Sequence, residues 1–255
     1  MKELDLNEYL STYRHDRVDF YRFPGNYGDS LIWHGTMKLL EGLDIAVNYV
    51  DENSGNPNKT LLIDGGGNLV DYYHDVRNCL ERTKDRYQNI IILPHTIYGE
   101  KQKELLRSLN NNIAIFCRER MSYEFVSKHA RNCEVYLWHD TAFYNKLDQI
   151  KSGAGVLNAF RNDVESIKKN IPADNNDLSR NGYAKKPLDQ FLQTISLYTV
   201  INTDRLHVAI AATLMGKRVN LFANSYYKNA AVFDYSLKKY PNIKFIKNEK
   251  DFEKD

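Results

Sequence analysis

The densest reactive chemistry of the chain lies in two arginine-bearing segments. Thr203-Asp204-Arg205-Leu206-His207 stands between the apolar run YTVIN and the alanine-rich run VAIAATLMG. Thr203 or Asp204 can cap a helix that starts there. Free amides at that helix start, with Arg205 and His207 beside them, would suit a compact dianion such as phosphate. The plainer alternative is a capped core helix with a solvent-facing arginine. Arg161-Asn162-Asp163 follows the run GVLNAF by the same logic and supplies a second guanidinium. Its plainer alternative is an exposed loop arginine paired to Asp163. A guanidinium grips carboxylate and phosphate alike in bidentate fashion, so two at one edge suit a ligand carrying both groups.

Two glycine-bearing turns add to this. Gly25-Asn26-Tyr27-Gly28-Asp29 follows one apolar run and precedes a helix pattern, and Asp64-Gly65-Gly66-Gly67-Asn68 ends another apolar run. Glycines there let the backbone approach a ligand closely. The spacing is not G-x-G-x-x-G, so a dinucleotide reading is weak. A capped turn and a tight strand–helix turn are the plainer alternatives. Further polar residues fall at the ends of apolar runs: His95, Arg118-Glu119-Arg120 and His139-Asp140.

The elements that must position these residues alternate along the chain. Strands are expected at 18–23, 44–50, 60–68, 89–97, 113–119 and 134–143, with helices at 30–42, 72–84, 101–110 and 120–130 between them. A second series has strands at 155–161, 198–203, 217–222 and 242–246, with helices at 187–196, 204–216 and 225–240. Strands separated by helices of about ten residues imply βαβ units and mostly parallel sheets. The class is therefore α/β, with two Rossmann-like halves and a cleft between them: 1–150, and 151–255, with KLDQIKSGAG as the linker. The polar stretch 162–186 is the expected mobile loop. In such folds ligands bind at the carboxyl ends of the strands.

Composition narrows the classes. The chain has 255 residues, 42% of them hydrophobic, enough for a substantial core. Lys and Arg total 35 against 33 Asp and Glu, a balance that gives no case for nucleic-acid binding. Tyr is frequent at 18, which reads as packing more readily than as sugar stacking. Cys79, Cys117 and Cys133 are far apart and read as reduced thiols rather than a disulfide or zinc framework. The start of the chain is charged and lacks an apolar signal core, and the apolar run at 208–215 is too short to span a bilayer. A cytoplasmic location is expected, with the inner face of the membrane and peripheral contact there left open.

In combination, GNYGD at 25–29, DGGGNL at 64–69, RERMS at 118–122, HDTAF at 139–143, RND at 161–163, TDRLHVAIAATLMG at 203–216 and NSYYKN at 224–229 resemble the polysaccharide pyruvyl transferase family. The resemblance spans nearly the whole chain and rests on the order of the pieces. It implies a two-domain fold like that of GT-B glycosyltransferases, with phosphoenolpyruvate as co-substrate and donor. The acceptor would be a sugar hydroxyl pair of a surface polysaccharide or its lipid-linked precursor, and the products a cyclic pyruvate ketal and phosphate. No metal-ligand cluster is visible in the sequence, and a metal-independent reaction without a cofactor is expected. Donor-binding residues would be Arg161, Arg205, Leu206 and His207, with Thr203 and Asp204 at the same turn. Asn26, Asp29, Gly66, Gly67, Asn68, His95, Arg118 and Glu119 would face the acceptor from the first half. His207 is the expected acid and Asp29 the expected base, with Asp140 its competitor. His95 departs from the family pattern, in which a glutamine is associated with this position. No oligomeric state is implied. The competing functions are a GT-B-type glycosyltransferase using a nucleotide sugar and a non-catalytic saccharide-binding scaffold.

Overall fold

A computed structural model of the protein describes residues 1–51, 59–150, 152–167, 171–179 and 188–247. Two compact units emerge: Met1–Phe23 with Ile32–Tyr144, and Pro24–Leu31 with Asn145–Asp255. The expected division at 150 thus falls a few residues earlier, and a short early segment joins the second unit. The expected linker packs onto that unit: Ile150 N–H donates to the Met215 carbonyl at 3.0 Å and Ala154 N–H to that of Leu197 at 2.9 Å. Of the expected mobile loop, residues 168–170 and 180–186 lie outside the described residues.

The first unit is built on a parallel sheet ordered β2 (Ala46–Val50), β1 (Arg17–Tyr21), β3 (Thr60–Ile63), β5 (Asn89–Tyr98), β6 (Ile113–Cys117) and β7 (Glu134–Leu137). Alternation along the strands explains their unbroken apolar runs, because both faces are covered. Ile90 and Ile92 pack on one face with α3 (Asp75–Thr83), α4 (Glu100–Arg107) and α5 (Arg120–His129). Ile91 and Leu93 pack on the other face, with Leu6 and Leu10 of α1 (Leu6–Leu10) and Leu39 and Leu40 of α2 (Tyr27–Gly42). The charged start of the chain hides α1, whose Leu6 and Leu10, spaced i and i+4, are fully buried.

The strand expected at 60–68 ends at Ile63, and the tight turn at the glycine run was its plainer alternative. Gly66 and Gly67 instead open a strand, β4 (Gly66–Val70), which runs parallel to the second half of β5. Across β5 the register with β6 shifts between Ile92 and His95, and Pro94 sits in that interruption, where a missing N–H is tolerated. The strand expected at 134–143 ends at Leu137, and Thr141–Tyr144 forms a 3₁₀ turn. β1 lies between β2 and β3, so the chain leaves it in two directions. That makes the carboxyl ends of β1 and β3 a topological switch point. At that point Asp64 N–H donates to the Tyr21 carbonyl at 3.0 Å. A Cβ on Gly65 would meet the carbonyl oxygen of Pro94 in β5 at 3.0 Å, so glycine lets the ends of β3 and β5 approach without a shift of the backbone.

The second unit has a parallel sheet ordered β11 (Ile243–Ile246), β10 (Arg218–Phe222), β9 (Val200–Thr203) and β8 (Val156–Ala159). Asn158, Asn202 and Asn220 share one register and form an amide ladder, with steps of 3.0 and 2.7 Å. The helix α7 (Leu206–Leu214) is buried at residues 206 and 208–213, as its alanine-rich composition implies. The unit also holds α6 (Leu188–Ser196) and α8 (Lys228–Val232), the latter running into a π-type turn, Phe233–Leu237.

Gly99 precedes α4 with φ 124° and ψ 163°, a region essentially closed to residues with a Cβ. An added Cβ would also stand 2.2 Å from the Asp71 carboxylate, which accepts the Glu100 N–H at 2.8 Å. Gly99→Ala is expected to cost at least about 1–3 kcal/mol, measured as a lowered urea midpoint. An unchanged midpoint would show that the turn relaxes freely.

Candidate functional site

The second unit brings the two expected arginines together by register. Ala159 and Thr203 are paired across β8 and β9, and Arg161 and Arg205 each stand two residues beyond that pair. Thr203 Oγ1 donates to the Ala159 carbonyl at 2.7 Å and accepts the Arg205 N–H at 2.9 Å. Asp204 Oδ1 accepts the Arg161 N–H at 2.7 Å. Thr203 and Asp204 therefore tie the two turns to each other. Neither is the expected cap of α7: the capping position is Arg205, without a side-chain cap bond, and its own amide is taken by Thr203.

Both guanidiniums are buried, with side chains only 5% and 8% exposed. A buried cation needs anionic partners, and carboxylates supply them. Arg161 donates to Asp163 through Nε at 2.6 Å and Nη2 at 3.0 Å, and to Glu165 through Nη1 at 2.6 Å. Arg205 donates to Asp177 through Nε at 2.8 Å and Nη2 at 2.7 Å, and its Nη1 stands 3.0 Å from Asp163 Oδ2. Lys228 Nζ reaches Glu165 at 2.5 Å, and Asn224 Nδ2 donates to the same oxygen at 3.2 Å. The pairing with Asp163 was foreseen as the plainer alternative for Arg161, but in an exposed loop; the arginine is buried.

The cluster holds three cations and, with Asp204, four carboxylates. Burial alone would raise Asp163, but the hydrogen bonds and charge of Arg161 and the charge of Arg205 outweigh it and hold the carboxyl at about 2. Asp204 goes the other way. Burial pushes it up to about 6, only partly offset by the Arg161 N–H and the two guanidinium charges. Its Oδ2 has no hydrogen-bond partner.

Asn26 and Asp29, expected on the acceptor side of the first half, belong to the second unit. Asn26 Oδ1 accepts the Gly28 N–H at 2.7 Å and Asp29 Oδ2 accepts the Asn26 N–H at 2.8 Å, a reciprocal cap on the start of α2. Tyr27 explains the placement: its ring stacks on Phe191 at 5.4 Å and its N–H donates to the Ser179 carbonyl at 3.3 Å. A Cβ on Gly28 would meet His207 Nδ1 at 2.8 Å, so only glycine lets half-buried His207 lie against this turn. Leu206 beside it is buried.

The remaining expected site residues lie in the first unit, mostly enclosed. His95 is fully buried, its Nε2 2.7 Å from Asn68 Oδ1. Burial, with the Arg118 charge, lowers it to about 3, so the imidazole is neutral and unsuited to deliver a proton near neutral pH. Arg118 donates to Thr96 Oγ1 and to Asp140 Oδ2, both at 2.8 Å, and Asp140 Oδ1 accepts the Ala142 N–H at 2.8 Å. The pair is at most 1% exposed and both Asp140 oxygens are engaged. Glu119 caps α5, accepting Ser122 N–H at 2.9 Å and the Ser122 hydroxyl. Burial raises its carboxyl above the usual range. Gly66 is buried, whereas Gly67 and Asn68 keep partial exposure.

Reading the sequence did not single out Glu165, Asp177, Asn224 or Lys228 as site residues, although Asn224 and Lys228 stand in the NSYYKN motif. The available signal was the need of two buried arginines for counter-charges, but no spacing rule chooses among the acidic residues. Among the described residues, no group of three or more His, Cys, Asp or Glu side chains is arranged to hold a metal ion. No helix among them is long and apolar enough to cross a membrane.

The units are parallel α/β layers of Rossmann type, with ionisable side chains gathered at their strand ends. The family model for polysaccharide pyruvyl transferase matches residues 26–226, well over half the chain, and the chain belongs to that family. Among its relatives, EpsO of Bacillus subtilis, which carries a pyruvyl transferase name, is 25% identical over 89% of this chain and 87% of its own. Pyruvyl transferase 1 of Schizosaccharomyces pombe is 25% identical over 84% of this chain and 69% of its own. The crystal structure of a functionally uncharacterised protein from Klebsiella pneumoniae matches with a TM-score of 0.82 at 29% identity, covering 95% of this chain and 97% of that one.

Two stability measurements test this geometry. The Asp204 carboxyl is raised above its ordinary value of 3.8, so the folded state loses stability as pH rises through about 4 to 6. Asp204→Asn keeps the acceptor for Arg161 and removes that loss. It should match the native protein near pH 4 and exceed it above pH 6, by on the order of 2–3 kcal/mol. Equal stabilities at both pH values would contradict the raised carboxyl. Asp140→Ala strands Arg118 and should cost about 3–5 kcal/mol in urea unfolding; a loss below about 1 kcal/mol would show that water reaches the pair.

Proposed function

We propose that the enzyme transfers the pyruvyl group of phosphoenolpyruvate onto two hydroxyls of one sugar, forming a cyclic ketal on a surface polysaccharide or its precursor, lipid-linked forms included. The observation that carries this reading is the pair of buried guanidiniums, Arg161 and Arg205, at adjacent strand ends of a pyruvyl transferase family member. Phosphoenolpyruvate carries a carboxylate and a phosphate on one small frame, and two guanidiniums match that pattern. A cytoplasmic site of action, extending to the inner face of the membrane, goes with this reading.

The chemistry balances as follows. A proton adds to the methylene carbon of the enol phosphate and makes the neighbouring carbon electrophilic. One sugar hydroxyl attacks that carbon and gives up its proton. The second hydroxyl then attacks the same carbon, the carbon–oxygen bond to phosphate breaks, and the ketal closes. Of the two hydroxyl protons, one offsets the proton placed on carbon and the other leaves with phosphate. Arginine stays charged and binds anions, whereas imidazole exchanges a proton near neutral pH. His207, in the first turn of α7 beside Arg205, is therefore assigned as the acid. Asp29 is assigned as the base toward the first hydroxyl, through the carboxylate oxygen not engaged with Asn26. Gly67 and Asn68, the partly exposed residues of the first-unit strand end, are assigned to the acceptor.

The test is phosphate release from phosphoenolpyruvate that depends on a diol-bearing saccharide. Arg161→Ala and Arg205→Ala should weaken donor binding by about 2–5 kcal/mol in calorimetric titration. His207→Gln should bind the donor nearly as well and turn over about 10²–10⁴-fold more slowly. Weak binding with normal turnover at saturating donor would remove His207 as the acid. Stabilisation by a nucleotide sugar and not by phosphoenolpyruvate would replace the reading with glycosyl transfer.

A further inference from the structure

Of the three carboxylates that neutralise Arg161 and Arg205, one differs from the others in position. Glu165 and Asp177 have side chains 3% and 7% exposed. Glu165 is fixed by Arg161, Lys228 and Asn224 together. Asp177 takes Nε and Nη2 of Arg205 in a fork and also accepts the Asn162 N–H at 3.2 Å. These two anchor the guanidiniums from within. Asp163 closes the cluster from the solvent side: its side chain is 32% exposed and Val164 after it is 71% exposed.

Asp163 also collects the remaining donors. Arg161 Nε and Nη2 donate to its two oxygens, Arg205 Nη1 stands 3.0 Å from Oδ2, and Glu165 N–H donates to Oδ1 at 3.1 Å. Two buried guanidiniums and one backbone amide thus converge on a single partly exposed carboxylate. That is the donor set an oxyanion would find if the carboxylate moved aside, since fork-like N–H edges bind phosphate and carboxylate interchangeably. The same contacts hold Asp163 ionised at ordinary pH, so it competes as a full charge.

We propose that Asp163 is a built-in stand-in for the anionic group of the substrate, and that the ligand binds by displacing it from Arg161 and Arg205. With phosphoenolpyruvate as that ligand, the inference rests on the function proposed above; the competition itself applies to any compact oxyanion. Two consequences follow. The guanidiniums keep a counter-charge at all times, so their burial does not depend on the ligand. The apparent affinity for the anion is lowered by the fraction of molecules in which Asp163 holds the site. Asp163 then sets a threshold: an anion that engages one guanidinium through one oxygen does not replace contacts to both, whereas a carboxylate and a phosphate on one frame do.

The experiment is calorimetric titration of the full chain with inorganic phosphate and with phosphoenolpyruvate, for the native protein and for Asp163→Asn. Asparagine keeps the shape and the acceptor for Glu165 N–H but removes the charge. The expected result is tighter binding of both anions to Asp163→Asn, by about tenfold. Asp163→Ser, which also retains an acceptor oxygen, should show the same gain and serves if the first variant does not fold. Asp177→Asn is the control and should bind both anions less tightly, because it loosens Arg205. Unchanged or weaker binding in the Asp163 variants would overturn the inference and leave Asp163 as a positioning residue for Arg161. Phosphate release from phosphoenolpyruvate by the native enzyme, assayed with the diol-bearing saccharide that supports it, separates this from the donor assignment. A gain in phosphate affinity without turnover of phosphoenolpyruvate upholds the stand-in and removes the donor; turnover without the gain does the reverse.

Discussion

A guanidinium taken out of water must carry its counter-charge with it, and the second unit is organised around doing so twice. Arg161 and Arg205 are adjacent because Ala159 and Thr203 are paired in the sheet. Their burial demands the ring of Asp163, Glu165 and Asp177. Glu165 in turn gathers Lys228 and Asn224, bringing the region that opens α8 onto the cluster. Asp204, ionised only against the pull of burial, joins the backbone of one arginine turn to the other. Asn229 completes the frame, donating to the carbonyls of Asp204 at 2.7 Å and Phe222 at 2.9 Å.

The first unit solves a different problem with a similar device. Beside the switch point at the ends of β1 and β3, the backbone after β3 comes close to Pro94 of β5, an approach that Gly65 eases. Behind that point the residues are polar but sealed. Asp64 Oδ1 accepts from its own neighbour, Gly65 N–H, and from Thr36 Oγ1, while Arg118 and Asp140 neutralise each other at full burial. These contacts hold the strand ends rigid while offering no charge to solvent. At this edge Gly67 and Asn68 keep partial exposure, and His95 Nε2 lies 2.7 Å from Asn68 Oδ1.

Most of the fold was legible in the chain because both sheets are buried on two faces. Runs such as NIIILPHTI and YTVINT read as strands on their own, and the helices between them carry clear apolar stripes. The misreadings share one cause. Gly66 and Gly67 look like a turn by type, but β5 is long enough to pair with a further strand, and ladder hydrogen bonds override the local preference. Thr203 and Asp204 look like helix caps by type, but a neighbouring strand end offers them stronger partners. His95, Arg118 and Glu119 look accessible because they sit at strand ends, but each is buried.

By itself, the sequence determined the α/β class, the alternation of strands and helices, the apolar character of α7, and the presence of Arg161, Arg205 and His207 at element boundaries. These are local properties, set by periodicity, propensity and the chemistry of single residues. Which strands lie side by side, and therefore which boundaries meet, was decided only in three dimensions. The tertiary structure chose Asp163, Glu165 and Asp177 from 33 acidic residues as the partners of the arginines. It also drew the turn at Asn26 and Asp29 into the second unit through the stacking of Tyr27 on Phe191. The contacts of Arg205 with Asp163 and Asp177, and of Tyr27 with Phe191, join residues distant in the chain, whereas Asp163 and Glu165 lie close to Arg161 in sequence. The free energy behind them comes from burial and charge pairing that exist only once the sheet is formed.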